Sequence, residues 1–127
     1  MPIIDNNALK AFSLPGLHHR TLAGFEQGMK KLSVWAETIE PGAGTPVHRH
    51  DCEEAVVILE GNGTLTVNGE DSTFGPNSTL IVPADAVHQI LNSGTTRMVI
   101  IGTFSTAPVE VRDANNQAMP LPWQTSN

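Results

Sequence analysis

The stretch Gly42-Ala-Gly-Thr-Pro-Val-His-Arg-His-Asp-Cys-Glu-Glu54 places two histidines two residues apart and a glutamate four residues after the second. In an extended strand, residues two apart project to the same face, so His48 and His50 can offer their imidazoles to one ion. Glu54 follows after enough chain to turn into the next strand, and His88 adds a third imidazole from a different strand. Three imidazoles and one carboxylate form a ligand set that suits a divalent first-row metal.

The sequence around this stretch shows the alternation and the turns that are typical of short antiparallel strands. We predict strands over residues 33–40, 55–60, 64–67, 79–82, 88–92 and 97–104, with an extended segment over 45–50. Many short strands separated by Gly and Pro indicate an all-β sandwich or barrel. Residues 1–30 are expected to hold a short helix and an edge strand, and the Pro-rich residues 107–127 are expected to wrap the surface.

The composition limits the classes of function that the chain can have. The chain has 127 residues, which is typical of one domain (1–127), and its formal net charge is −6 with seven scattered Lys and Arg residues. We therefore expect no nucleic-acid partner, because phosphate binding needs clustered cations. No apolar run approaches the roughly 20 residues of a membrane-spanning helix, and the first residues lack the pattern of a signal peptide. With Cys52 as the single cysteine there is no intrachain disulfide, so we expect a cytoplasmic protein.

The stretch resembles a motif of a known superfamily. The pattern Gly42-x5-His48-x-His50-x3-Glu54-x6-Gly61 matches the first cupin motif at every defined position. The second cupin motif, Gly-x5-Pro-x-Gly-x2-His-x3-Asn, corresponds to Asn77-x5-Pro83-x-Asp85-x2-His88-x3-Asn92. Both of its glycines are replaced, by Asn77 and Asp85, which tolerate positive φ better than most residues. The resemblance implies a double-stranded β-helix, the cupin jelly-roll barrel, with a core over about 30–106 and the metal bound by His48, His50, Glu54 and His88.

A more specific resemblance, to the plant auxin-binding proteins within the cupins, covers roughly residues 16–105. It rests on the stretches His19-Arg-Thr-Leu-Ala-Gly24, Val34-Trp35-Ala-Glu-Thr38, Thr45-Pro-Val-His-Arg-His-Asp-Cys-Glu-Glu54 and Ala86-Val-His-Gln89. It implies that zinc is the preferred ion, with iron, manganese or nickel as alternatives. It also implies a pocket for a small carboxylate-bearing aromatic molecule. Trp35, Thr45 and Pro46 sit at matching pocket positions, and Trp123 resembles the tryptophan that closes the pocket.

Four further side chains can be assigned a role from the sequence. If Trp35 faces the pocket, period-two alternation turns Glu37 inward as well, which makes it a candidate general acid or base near the metal. The alternative is that Glu37 lies solvated at the rim. We assign His18 and His19 to surface or packing roles, and we interpret Cys52 as a small buried residue and not as a nucleophile.

The sequence leaves the type of function open. In one interpretation the metal anchors the carboxylate of a bound small molecule without turnover. In the other the chain is a metal-dependent dioxygenase, isomerase or decarboxylase acting on a small organic acid or sugar derivative. A purely structural ion ranks last, because such an ion needs closed coordination. The family resemblance and the expected unpaired sheet edge also predict a homodimer.

Overall fold

The computed structural model describes residues 3–123, and these residues form nine β-strands and two short 3₁₀ helices. The strands are β1 (Phe12–Leu14), β2 (Leu17–Ala23), β3 (Ser33–Ile39), β4 (Glu54–Glu60), β5 (Gly63–Val67), β6 (Glu70–Phe74), β7 (Ser78–Val82), β8 (His88–Leu91) and β9 (Met98–Phe104). The 3₁₀ helices span Asn6–Ala8 and Phe25–Gln27. None of the helices in this part of the chain has the length and hydropathy to cross a lipid bilayer.

Within residues 3–123 the strands form two antiparallel sheets. The larger sheet has six strands in the order β1-β2-β3-β9-β4-β7, and the smaller has three in the order β6-β5-β8. The segment that carries the histidine pair runs antiparallel beside β8, where Gly44 pairs with Leu91 and His48 pairs with His88. The core lies between the sheets, because Leu65 and Ile90 from the smaller sheet pack in one cluster with Ile58 and Ile100 from the larger. The predicted all-β, antiparallel jelly roll is confirmed.

The strand register arranges the inner face of the larger sheet in rows across β3, β9 and β4. The Glu54 row contains Ser33, Phe104 and Glu54; the Gly102 row contains Trp35, Gly102 and Val56; the Glu37 row contains Glu37, Ile100 and Ile58. Neighbouring rows are two residues apart along each strand, which is roughly 7 Å. The Gly102 row therefore separates the Glu54 row from the Glu37 row.

Strand β2 was not predicted as a separate strand. The sequence indicated one short helix and one edge strand before residue 30, whereas the structure has two strands there, and β2 pairs with β3 along most of its length. Its inward positions are Leu17, His19 and Thr21, all buried. Because two of these three side chains are polar, the alternation of burial in β2 has no matching alternation of hydropathy in the sequence.

The C-terminal segment does more than cover the surface. Val109, Val111 and Trp123 are buried in the main core cluster, although the prediction for 107–127 was a surface wrap. Arg112 exchanges two backbone hydrogen bonds with Arg49, at 2.8 and 3.0 Å, so this segment extends the pairing of the histidine-bearing segment. Residues 124–127 lie outside the described residues.

The two replaced glycines of the second motif behave as the sequence predicted. Asn77 has φ 62° and Asp85 has φ 63°, both in the left-handed region. Asn and Asp are the non-glycine residues that accept this region most readily, because their short side chains bond locally to the backbone. The turns before β7 and β8 are therefore kept without glycine, and His88 reaches its position.

The motif asparagine, Asn92, is a structural clamp and generates a stability prediction. Its side chain is fully buried, donates to the carbonyls of Ile39 (2.8 Å) and Thr96 (2.9 Å), and accepts from the Gly94 amide at 3.0 Å. Asn92→Ala leaves the buried Ile39 carbonyl and two partly buried backbone groups without this partner, so we expect a loss of about 2–4 kcal/mol in the free energy of unfolding, measured by urea denaturation. The exposed Asn115→Ala is the matched control and should stay within about 0.5 kcal/mol of the wild type. Equal effects of the two substitutions would contradict the clamp.

Candidate metal centre

Four buried side chains converge on one wall of the core. His48 and His50 come from the segment before β4, Glu54 from the first residue of β4, and His88 from the first residue of β8. Each is at most 8% exposed. The three histidines each bring a ring nitrogen to within 4.8 Å of the others, while Glu54 Oε1 lies 3.2 Å from His88 Nε2 and 3.7 Å from His50 Nε2. The structure thus brings together all four predicted ligands.

Backbone carbonyls orient all three imidazoles. His48 Nδ1 donates to the Pro46 carbonyl, His50 Nδ1 to that of Glu110 (2.8 Å) and His88 Nδ1 to that of Ala86 (2.9 Å). A carbonyl only accepts, so in each ring the proton is assigned to Nδ1 and Nε2 keeps its lone pair. Outer hydrogen bonds of this kind are what fix the tautomer and orientation of metal-binding histidines.

The remaining atoms of these side chains fit a metal ion. Among the described residues, His50 Nε2, His88 Nε2 and Glu54 Oε1 are buried and have no hydrogen-bond partner. Buried polar atoms are nearly always satisfied, so three of them facing one another require an explanation. All are electron-pair donors of the types that zinc, iron, manganese and nickel accept. A cation at this point would satisfy all three at once.

Burial favours the neutral imidazole at His48 and His50. Burial, together with the nearby His88 and His50, lowers the pKa of His48 well below its usual range. Burial also lowers the pKa of His50, although the charge of Glu54 acts in the opposite direction. Metal binding requires the neutral imidazole. At neutral pH these two residues therefore have no proton to lose before an ion binds.

The histidines face a pocket with mainly apolar walls, whose cavity has a volume of about 30 Å³. The predicted residues Trp35, Thr45, Pro46 and Trp123 all line it, as does Glu37. The ring centroid of Trp35 lies 4.5 Å from that of Phe104 and 5.8 Å from that of Trp123. The Trp35 ring is tilted against Phe104 and edge-on to Trp123, so the three rings form an aromatic cluster in the pocket wall. In the Gly102 row, a Cβ on Gly102 would come within 3.2 Å of Glu54 Oε2. The absence of a side chain at Gly102 therefore allows the Glu54 carboxylate to approach the backbone of β9 closely.

Glu37, on the pocket wall, forms a pair with the buried His19. His19 lies directly opposite Glu37 in the strand register, and its Nδ1 is 2.9 Å from Glu37 Oε2. The His19 ring also stacks on Trp123 at 3.9 Å and is only 1% exposed. Among described residues no hydrogen bond or ion pair joins Glu37 to the four candidate ligands, so it lies in the pocket and away from the metal-binding atoms. The packing role predicted for His19 agrees with its burial against Trp123. Its pairing with Glu37 was not predicted, because the two residues have no local relationship in the sequence.

The other two singled-out side chains have structural positions. His18 is on the surface, where its ring contacts Ser13 at 3.1 Å and Glu40 at 3.8 Å. Cys52 is a free, buried thiol, and burial raises its pKa to about 11. The thiolate is the nucleophilic form, so a raised pKa makes this residue inert.

Comparison with known proteins identifies the family. The sequence model of the auxin binding protein family matches residues 3–125, nearly the whole chain. The chain belongs to the auxin-binding protein family. Auxin-binding protein T92 of Nicotiana tabacum is 38% identical to this family member over 117 residues, which cover 83% of this chain and 63% of the tobacco protein. This chain therefore spans less than two thirds of the length of that relative.

Solved structures with a similar fold support the architecture of this member of the auxin-binding protein family. The polyketide cyclase RemF from Streptomyces resistomycificus aligns with a TM-score of 0.74 at 20% identity, over 99% of this chain and 97% of the cyclase. An RmlC-like cupin from Shewanella frigidimarina aligns with a TM-score of 0.73 at 20% identity, over 85% of this chain and 93% of that protein. At these identities the similarity concerns the fold alone, which is the double-stranded β-helix of the cupins.

The geometry generates a prediction about metal content. Protein purified without added metal should contain a first-row ion at about one per chain, measured by elemental analysis. His48→Ala and His88→Ala each remove one of the clustered nitrogens and should lower the affinity at least about tenfold, because such sites depend on every ligand. The exposed His18→Ala is the matched control and should keep the full content. Full metal content in both ligand variants would place the ion elsewhere.

Proposed function

We propose that this protein binds one divalent first-row metal ion through His48, His50, Glu54 and His88. The bound ion would anchor the carboxylate of a small aromatic molecule in the pocket. The observation that carries this proposal is the convergence of three unsatisfied acceptor atoms on one wall of a largely apolar cavity. Pockets of this type bury most of a small ligand's surface and orient it through a few polar groups.

The ligand set favours zinc without excluding iron, manganese or nickel. Imidazole suits all four ions, and the protein's choice among them depends on geometry and supply more than on raw affinity. When bound, the ion would supply a fixed positive charge and open coordination positions for an anionic oxygen. The chain's own residues would hold the ion, exclude water and orient the rest of the ligand.

The walls around the metal site fit an aromatic carboxylate. Trp35 and Phe104 present ring surfaces close to His50, at 6.2 and 4.9 Å between centroids. Thr45 uses its hydroxyl oxygen to accept a hydrogen bond from the Ile90 amide at 3.0 Å, which leaves its proton for a ligand oxygen. Pro46 contributes an apolar surface while its carbonyl orients His48. The auxin-binding proteins to which the chain is related by sequence support the same class of ligand.

Ligand binding can be followed through the two tryptophans. With zinc bound, indole-3-acetate and benzoate should change the tryptophan fluorescence in a saturable manner, because Trp35 and Trp123 line the pocket. Removal of the ion with a chelator should weaken binding at least about tenfold, the loss expected for one charge-assisted anchor. The corresponding alcohol, indole-3-ethanol, is the matched control and should show little metal dependence. Equal affinities with and without the ion would contradict the anchoring role.

A metal-dependent enzyme acting on a small organic acid is the second candidate function. It is favoured by the position of Glu37, a carboxylate on the pocket wall that is hydrogen-bonded to the buried His19. In that case Glu37 would accept or donate a proton at the substrate, as a general acid or base. Iron or manganese in the purified protein would favour this candidate, whereas zinc favours binding.

We also propose a homodimer formed through the outer face of the larger sheet. On this face Val57, Leu59 and Ile81 are exposed, with Ile81 at 69%, and Ile101 pairs with Val57 beside them. β7 is an edge strand of the same sheet, and unpaired edges and apolar patches invite a partner. A cytoplasmic location stays a prediction.

The dimer can be tested directly by measuring the molecular mass of the protein in solution. Light scattering coupled to size exclusion should give twice the mass of the chain for the wild type. The double variant Val57→Lys, Ile81→Lys should be monomeric, because two charges on the facing patches cannot be buried without partners. Phe25→Lys, which adds a charge at an equally exposed apolar residue outside the sheet, should remain dimeric. A monomeric wild type would exclude the proposal.

A further inference from the structure

The metal-binding wall is not the only polar position in the pocket. Glu37 also lines it, and the side chain of this residue is 10% exposed. Its Oε2 accepts from His19 Nδ1, while no described residue hydrogen-bonds to its Oε1. A carboxylate oxygen accepts and does not donate, so Oε1 can be satisfied inside the pocket by a donor on the bound molecule.

The His19 side chain holds Glu37 in place. With Nδ1 donating to Glu37, its Nε2 accepts from the Thr21 hydroxyl at 2.8 Å. The ring is stacked on Trp123 at an interplanar angle of 9° and meets the edge of Trp35 at 4.9 Å. A ring with both nitrogens bonded and both aromatic neighbours in contact has little freedom to rotate. His19 is thus a positioning residue that fixes which oxygen of Glu37 is available.

The strand register sets the distance between the two polar positions. Glu54 pairs with Phe104 on β9, and Glu37 pairs with Ile100 on the same strand. Four residues along a strand correspond to about 13 Å between the two rows, before the lengths of the side chains are subtracted. The Gly102 row lies between them, with the ring of Trp35 and no side chain at Gly102. Glu54 and Glu37 therefore lie on either side of the Gly102 row, and both line the same pocket.

We propose that Glu37 is a specificity-determining residue that selects ligands with a hydrogen-bond donor opposite their carboxylate. The ligand class is an aromatic monocarboxylate whose far end carries a hydroxyl or an amine. This inference rests on the proposed function, since the metal must hold the carboxylate end. A second carboxylate at the far end is disfavoured, because it would place like charges beside each other.

The test uses two pairs of probes that differ only at the far end, on the zinc-loaded full-length chain. The pairs are 4-(aminomethyl)benzoate with its isostere 4-ethylbenzoate, and 4-hydroxyphenylacetate with phenylacetate. Calorimetry should show at least about tenfold tighter binding of the donor-bearing member in one or both pairs, the gain expected for a hydrogen bond to a charged acceptor.

The substitution Glu37→Gln separates specificity from packing. The amide oxygen can still accept from His19, which turns the amide NH₂ toward the pocket in place of an acceptor. The variant should therefore lose the preference for donor-bearing probes while it still binds 4-ethylbenzoate and phenylacetate. The exposed Glu40→Gln is the matched control and should keep the preference of the wild type.

The outcomes distinguish this inference from the function on which it rests. Metal-dependent binding of the plain probes with no preference in either wild-type pair would overturn the role of Glu37 and leave the proposed function intact. A preference that persists in Glu37→Gln would also overturn it. Absence of binding by all four probes would remove the proposed function and this inference together. The wild-type comparison alone decides the question if the Glu37→Gln variant fails to fold.

Discussion

The hydrogen bonds from three imidazole Nδ1–H groups to backbone carbonyls are the constraint on which the site depends. These bonds direct the Nε2 atoms of the three rings toward one another. The accepting carbonyl of each bond lies in a different part of the chain. His48 bonds within its own segment, His88 to the turn before β8, and His50 to Glu110 in the C-terminal segment. The site is complete only when all three segments are docked, so folding of the C-terminal segment is coupled to the orientation of His50.

The same coupling explains why this segment is buried. Pairing of Arg112 with Arg49 brings the chain alongside the histidine segment, and Val111 and Trp123 then enter the core. Trp123 reaches His19, which in turn holds Glu37. One C-terminal segment therefore supports two polar positions of the pocket, the candidate metal-binding histidines directly and Glu37 through a stacked ring.

Much of the fold and the ligand set could be predicted because they follow from local rules. Runs of β-forming residues between turn signals indicated β4, β5, β7 and β9, and the spacing of His48, His50 and Glu54 placed three candidate ligands in one short stretch. The His19–Glu37 pair could not be predicted, because it depends on the pairing register of β2 with β3, which no local pattern in β2 reveals. Burial of Val109 and Val111 was missed for a related reason, since their partners lie far away along the chain.

The candidate metal centre also has an energetic consequence for the whole molecule. Three buried acceptors without partners each cost about 1–3 kcal/mol, which the packed core must offset in the metal-free protein. An ion that satisfies all of them binds the folded chain and not the unfolded one, and so raises its stability by RT ln(1 + [M]/Kd). Because His48 and His50 are neutral, no proton has to leave them before the ion binds. The arrangement that makes the empty site costly is therefore the one that favours occupation by a cation. The same argument applies on a smaller scale to Oε1 of Glu37, where the partner would be a donor on the ligand.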